Sequence, residues 1–445
     1  MYWKRWRTRL AGLTRFGYRA GIRSGRLLIP GRQGPMEGAY QRAVLHDTFS
    51  LRARLLQRAA RLVAQPVLRF APINGTTIKT ARSFERVSAR GPRSRFVEPI
   101  GYTLGGVRVE SMTHRWGPSS NMTILYFHGG GFMSGGIESH RRMCETLARF
   151  SGANVISVDY VQLPEGTVAD SVQDAINAYA GLLDMTLDPD KIVVAGDSAG
   201  GYLAMKVAEL ATRRELLPPA AVLCFSPMLS LDPERHDKAV ERIHPINDAY
   251  LPPKRLHKIR AMWNPQGSVI EGFAAPLHAS AYIKSPVFFT AVEDEILRPE
   301  IEAMSMLLAD KGIEVETHIW RKQVHAFPVL ADFLPESRHA LKLAAAFARI
   351  AVGDIERVVH VEPEAPEVPT AFEPLAEDEL GETVWIDEKT ASESFVDGET
   401  LVGEVVFDEP ADARDFENQT EDEDDIIDGE LVDDKPGTWY PASAS

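Results

Sequence analysis

The chain has 445 residues, 44% of them hydrophobic, two cysteines (Cys144 and Cys224) and a formal net charge of −14. That length supports a core of about 250–300 residues with extra segments, and so few cysteines exclude a disulfide-built scaffold and fit a reducing compartment. No apolar run reaches the roughly 18–20 residues of a membrane-spanning helix.

The charge is polarised. Residues 1–99 carry 21 Lys/Arg against 4 Asp/Glu, and residues 351–445 carry 4 against 30. A near-neutral globular unit therefore has a basic head and an acidic tail. Residues 1–36 read as a basic amphipathic segment. Trp3, Trp6, Leu10 and Leu13 recur at helical steps, and residues 1–33 hold nine Lys/Arg and no acid. Such a segment suits an anionic membrane surface; its composition also suits a mitochondrial transit peptide. The expected location is cytoplasmic, with membrane association through residues 1–33, and mitochondrial as the alternative. No nucleic-acid-binding module follows the head, so nucleic acid is not expected as a partner. Residues 37–97 read as helices, with LRARLLQRAARLV showing a strong 3.6 period.

Over residues 98–353 short β-branched or aromatic runs alternate with helical stretches. MTILYF precedes SHRRMCETLARF, NVISVDY precedes ADSVQDAINAYAGLL, and KIVVA precedes GYLAMKVAEL. AAVLCF and PVFFTA follow, the latter before PEIEAMSMLLADKG, and IEVETHIW leads to ESRHALKLAAAFARIA. This alternation predicts an α/β fold with a mostly parallel central sheet covered by helices on both faces. After residue 354 the periodicity stops. EPEAPEVP and EDEDD cannot bury enough apolar surface to order themselves, so 354–445 reads as a disordered acidic tail. Its apolar islands VWI, LVGEVVF and DDIIDGELV could dock on a protein partner.

Ser198 stands in AGDSAGG, between the run KIVVA and a helical stretch. A Gly-x-Ser-x-Gly turn at a strand-to-helix junction avoids side-chain clashes at Gly196 and Gly200 and lifts the serine above the sheet edge, at a helix N-terminus. A serine hydroxyl is a weak nucleophile unless a base reaches it and a carboxylate orients that base. His128-Gly129-Gly130-Gly131-Phe132 follows ILYF directly. Its unobstructed backbone N–H groups, with that of Ala199, can face a developing oxyanion. The base is expected after the last strand, at His325 in VHAFPV. The carboxylate is expected in Val292-Glu293-Asp294-Glu295-Ile296-Leu297, with Asp294 chosen and Glu293 and Glu295 left open.

Taken in order, these stretches resemble the hormone-sensitive-lipase family of α/β-hydrolase esterases. HGGGF resembles its oxyanion loop, VDYVQLPE its VDYRLAPE-type stretch, GDSAGG its nucleophile elbow and FSPMLSL its SPWLDL-type segment. EDEIL and HAF sit where its DPL and HGF stretches sit. The resemblance implies the α/β-hydrolase fold, Ser198, Asp294 and His325 as catalytic residues, and Gly129, Gly130 and Ala199 as oxyanion donors. It also implies a helical cap from residues 37–97 and an insertion at about 235–275, with Phe132, Tyr250, Leu251, Met262 and Trp263 as pocket candidates. The expected activity is carboxylic-ester hydrolysis through an acyl-enzyme, on small or lipid-like esters, with no cofactor or metal. Acyl transfer or amide hydrolysis on the same triad, and a non-catalytic scaffold with an interaction tail, are the alternatives.

Overall fold

In the computed structural model the described residues are 41–355, apart from 89–96, 116, 187, 232–247, 253–258, 261 and 264–268. The basic head, most of the cap insertion and all but the start of the acidic tail lie outside them. Nine strands form one sheet in the order β1-β9-β8-β7-β6-β4-β5-β3-β2. They are β1 Gln41–His46, β2 Val97–Leu104, β3 Val107–His114, β4 Thr123–Phe127, β5 Asn154–Val158, β6 Ile192–Asp197, β7 Ala221–Phe225, β8 Val287–Val292 and β9 Val315–Trp320. The pairs β3–β2 and β3–β5 are antiparallel, and every other neighbouring pair is parallel.

The central strands show why the order takes this form. TILYF, IVVAGD, AVLCF and VFFTAV are buried almost without interruption, as strands covered on both faces must be. The edge strand β2 instead is buried only at its ends, Val97 and Leu104, and is open or half-buried between them. One face is covered by α4 (Ile137–Ser151) and α8 (Pro335–Ala351), whose Met143, Leu147, Leu341 and Phe347 join Phe225 and Phe288. The other is covered by α5 (Val168–Met185), α6 (Ala199–Arg213) and α7 (Arg298–Ala309), which contribute Ile176, Leu203 and Met304. Helix starts follow local chemistry. Thr167 and Asp170 exchange hydrogen bonds in a capping box at α5, and Gly152, left-handed at φ 71°, ends α4.

Helices α1 (Leu51–Ala59) and α2 (Gln65–Phe70) are joined by a π turn at Ala60–Ala64, and α3 (Gly75–Ser88) follows. Among the described residues no helix is long and apolar enough to cross a membrane. One expectation changes here. QRAVLH, taken as part of a helical segment, is strand β1, because it pairs in parallel with β9 from Gln41↔Val315 to His46↔Trp320. A strand completed by a partner some 270 residues away leaves no local periodic signal.

Candidate active site

Residue 198 is the hinge between β6 and α6. Its backbone sits at φ 51°, ψ −115°, a conformation that costs a serine about 1–3 kcal/mol. Three backbone bonds hold it there: Ser198 N–H donates to Phe225 O at 3.0 Å, and Ser198 O accepts from Tyr202 N–H at 3.2 Å and Met228 N–H at 3.0 Å. The flanking glycines leave no room for anything larger. A Cβ on Gly196 would lie 2.3 Å from Gly200 O, and one on Gly200 would lie 1.9 Å from Phe127 O.

The loop after β9 carries His325 to this hinge. Ser198 Oγ lies 2.9 Å from His325 Nε2, and His325 Nδ1 lies 3.0 Å from Glu295 Oε2. Glu295, not Asp294, is therefore the carboxylate against the imidazole. Its second oxygen accepts the Val292 N–H at 2.9 Å, so both oxygens are engaged. Glu293 turns away to Arg321 Nε at 2.9 Å, and Asp294, half-buried, acts electrostatically on the same Arg321. The turn after β8 is tight, with Glu295 N–H bonded to Val292 O and Arg298 N–H to Glu295 O, so only the third of the three acids faces back across the sheet edge. A signal for this stood in the sequence. In DPL the acid stands two residues before the leucine, and in Glu295-Ile296-Leu297 that position is Glu295.

A second buried carboxylate, Asp248, belongs to the same cluster and was not read from the sequence. Its Oδ1 accepts the N–H groups of Tyr250 at 2.7 Å and Leu251 at 2.8 Å, and its Oδ2 accepts that of Ile296 at 3.1 Å. Asp248 thus joins the Asp248–Leu251 turn to the loop that holds Glu295. The same turn sets the Tyr250 ring nearly parallel to the His325 ring, with centroids 6.4 Å apart. Burial alone would lower the basicity of His325. The hydrogen bond and charge of Glu295, with the charges of Asp248 and Asp197, outweigh burial and raise it above the ordinary 6.5.

The glycine loop after β4 is braced by Asp197, the residue before the serine. Asp197 Oδ1 accepts the Tyr126 hydroxyl at 2.6 Å and the Gly129 N–H at 2.8 Å, with His140 Nε2 at 3.3 Å. Burial opposes its charge, but His140, Tyr126 and Gly129 hold the carboxyl below its ordinary range. The expected donor role of Gly129 is therefore corrected: its N–H is already committed to Asp197. The carbonyl of Gly129 accepts from His128 Nδ1 at 2.8 Å, and that of Gly130 accepts from Met133 and Ser134 N–H. In a trans peptide the N–H points opposite the carbonyl, so the N–H groups of Gly130 and Gly131 face away from these partners. His128 is buried and stacks on Tyr160 at 4.4 Å; burial, then the neighbouring His140, lowers its pKa to about 3, so it is neutral.

Helix α3 holds the same loop from outside. Arg82 donates to Met133 O at 2.8 Å, to Leu163 O at 2.5 Å and to Glu165 Oε2 at 2.8 Å. It thereby ties the glycine loop to the stretch VDYVQLPE. Trp263 Nε1 donates to Gly131 O at 2.7 Å, and Trp263 and Phe132 meet edge to face at 6.0 Å. Of the pocket candidates, Tyr250 and Trp263 lie against the site. Phe132 is completely buried beneath the loop, Leu251 is half-buried against the core, and Met262 is 37% exposed. The position of Phe132 corrects it as a wall residue, since it is core.

Comparison with known proteins matches residues 124–329 to a family described by the alpha/beta hydrolase fold. An esterase, LipU, of Mycobacterium tuberculosis is 30% identical over 285 residues, which are 62% of this chain and 89% of that protein. An ethyl acetate hydrolase of Pseudomonas putida is 36% identical over 230 residues, 49% of this chain and 70% of its own. Among solved structures, an esterase from the bacterial hormone-sensitive lipase family shares the fold, with a TM-score of 0.60 and 24% identity across 69% of this chain and all of that one. A relative matched along most of its own length shares more than a scaffold, and the chain belongs to the hormone-sensitive-lipase family of α/β-hydrolase-fold esterases, as a serine ester hydrolase of carboxylesterase type.

Proposed function

We propose that the protein hydrolyses short-chain carboxylic esters through an acyl-enzyme formed on Ser198, with His325 as base and Glu295 as its orienting carboxylate. The observation that carries this reading is the continuous contact from Ser198 Oγ through both ring nitrogens of His325 to Glu295. With Nδ1–H donating to Glu295, the free lone pair of the neutral imidazole lies on Nε2, toward the hydroxyl. As Oγ attacks the ester carbonyl, its proton passes to Nε2, and Glu295 stabilises the imidazolium. The tetrahedral oxyanion is received by N–H groups of Gly130, Gly131 and Ala199. Ala199 is the first residue of α6, whose N–H groups lack partners within the helix. The imidazolium then protonates the departing alcohol, and water repeats the sequence to release the acid.

The acyl side is read as small. The Trp263 indole packs on the glycine loop, with Nε1 bonded to Gly131 O at 2.7 Å and Cζ2 3.6 Å from where a Cβ on Gly131 would stand. Relatives described as an acetyl-hydrolase and an ethyl acetate hydrolase agree with this size. A fluorophosphonate probe should label the folded protein and fail to label Ser198→Ala, whose turnover should fall by about 10⁴-fold or more. A series of nitrophenyl esters should favour the shortest acyl chains. Full turnover in Ser198→Ala would refute the nucleophile, and a preference for long chains would refute the small acyl site.

A further inference from the structure

The helical run from Leu51 to Phe70 has two unlike faces. Its inner face carries Ala53 and Ala60, buried against Trp320, Val324 and Phe327. Gln57 donates to Gln323 O at 3.5 Å and Gln65 to Asp248 O at 2.6 Å, so this face grips the stretches on either side of the His325 ring. The outer face carries Leu51, Leu55, Leu62, Val63, Val67 and Phe70, each between 54% and 76% exposed. A single exposed leucine needs no explanation, but six along one helical run form a patch that does.

The π turn at Ala60–Ala64 builds that patch. At about 100° per residue, an unbroken α-helix would spread the six side chains over about 160° of the surface. The wider π turn sets the following residues back by about 90°. That gathers all six into a stripe about 100° wide and keeps Gln57 and Gln65 together on the inner side. The charge along the run itself has one sign; Asp332, next to the Phe333 that Arg52 touches, and Glu336, bonded to Ser50, lie at its start. Residues 48–84 contain no Asp or Glu, whereas the run itself contains Arg52, Arg54, Arg58, Arg61 and Arg69. Arg52, Arg54 and Arg69 lie over the rings of Phe333, Phe49 and Phe70 at 5.3–6.0 Å rather than against carboxylates.

We infer that this face is a docking surface for an anionic lipid bilayer, with the six apolar side chains in the interface and the arginines at the phosphates. A second copy fits less well, because a two-fold contact would set arginine against arginine. A convex apolar stripe edged by arginine stems is the form that lies flat in a lipid interface. Docking would hold the Gln323 and Asp248 loops about one helix diameter, roughly 10 Å, from the lipid. The inference does not rest on the esterase reading, since the Ser198→Ala chain should bind equally well.

The test uses the full chain with vesicles of phosphatidylcholine and phosphatidylglycerol, and of phosphatidylcholine alone. Binding should require the anionic lipid. Leu55→Glu with Leu62→Glu should weaken it by about tenfold or more, and Arg54→Gln with Arg58→Gln by about fivefold per arginine. Hydrolysis of a soluble ester should be unchanged in both. An environment-sensitive dye on Leu62→Cys should shift to the blue on anionic vesicles; the native thiols are buried. A glutamate variant that binds as the native chain does, or a dye that does not respond, overturns the inference. So does a native chain that ignores vesicles and sediments as a dimer which the glutamates dissociate.

Discussion

Ser198 is held by backbone and glycine, whereas Glu295 and His325 are held by side chains, and the two halves of the site tolerate change differently. Around Ser198 the constraint is steric: a methyl group at Gly196 or Gly200 meets carbonyl oxygens at 2.3 Å or less. Around His325 it is electrostatic and directional: two carboxylates, a stacked tyrosine and a tight turn select one acid from three neighbours. Space thus fixes the position of Ser198, and charge sets the state of His325. Substitutions of the glycines around Ser198 should cost stability, and substitutions around His325 should cost rate and move the pH profile.

The sharpest way to break this contrast is to exchange the acids. Glu295→Gln keeps the shape but removes the charge that orients and stabilises the imidazolium, so kcat/KM should fall by about 10²–10⁴-fold. The acid limb of the profile should also move. His325 must be neutral to accept the proton, so activity rises with pH through its pKa. Glu295 helps raise that pKa above 6.5, and without it the limb should move to lower pH. Asp294→Asn should stay within about twofold of the native rate with an unmoved limb. The reverse result in steady-state pH profiles would return the orienting role to Asp294.

The next largest effect belongs to the other half. Gly200→Ala forces a Cβ against Phe127 O, and overpacking of this kind costs about 3 kcal/mol. By scanning calorimetry that should lower Tm by about 6–12 °C. Gly75→Ala, where nothing stands within 4 Å of the added Cβ, should leave Tm unchanged or slightly higher. Equal effects at both positions would show that close packing does not set the tolerance of the elbow.

The same contrast separates what is legible in the sequence from what is not. Strand alternation and glycine spacing are local, so the parallel sheet, the GDSAGG turn and the HGGG loop were legible, and His325 followed from its place after the last strand. Glu295 is harder to read: three adjacent acids share one composition, and only its place two residues before Leu297, together with the turn, singles it out. The committed Gly129 N–H was hidden too, since its acceptor, Asp197, is 68 residues away. Asp248 and Arg82 come from segments with no motif, and strand β1 exists only through its pairing with β9.

Asp248→Asn gives the smallest effect and the finest test. The carboxylate accepts three backbone N–H groups and adds negative charge near His325. Burial raises its own pKa, while His325 and those donors work the other way. Asparagine retains one acceptor oxygen, so Tyr250 and Leu251 can stay in place, but its NH2 meets the Ile296 N–H donor to donor and that bond is lost. Loss of the charge alone should lower the His325 pKa and move the acid limb to lower pH, in the same direction as Glu295→Gln but with only about a threefold loss of kcat/KM. Asp248→Ala also removes the acceptors that seat Tyr250, so it should lose more stability than Asp248→Asn. If both variants lost stability alike while neither moved the acid limb, Asp248 would only fasten the cap, and the charge on the base would come from Glu295 alone.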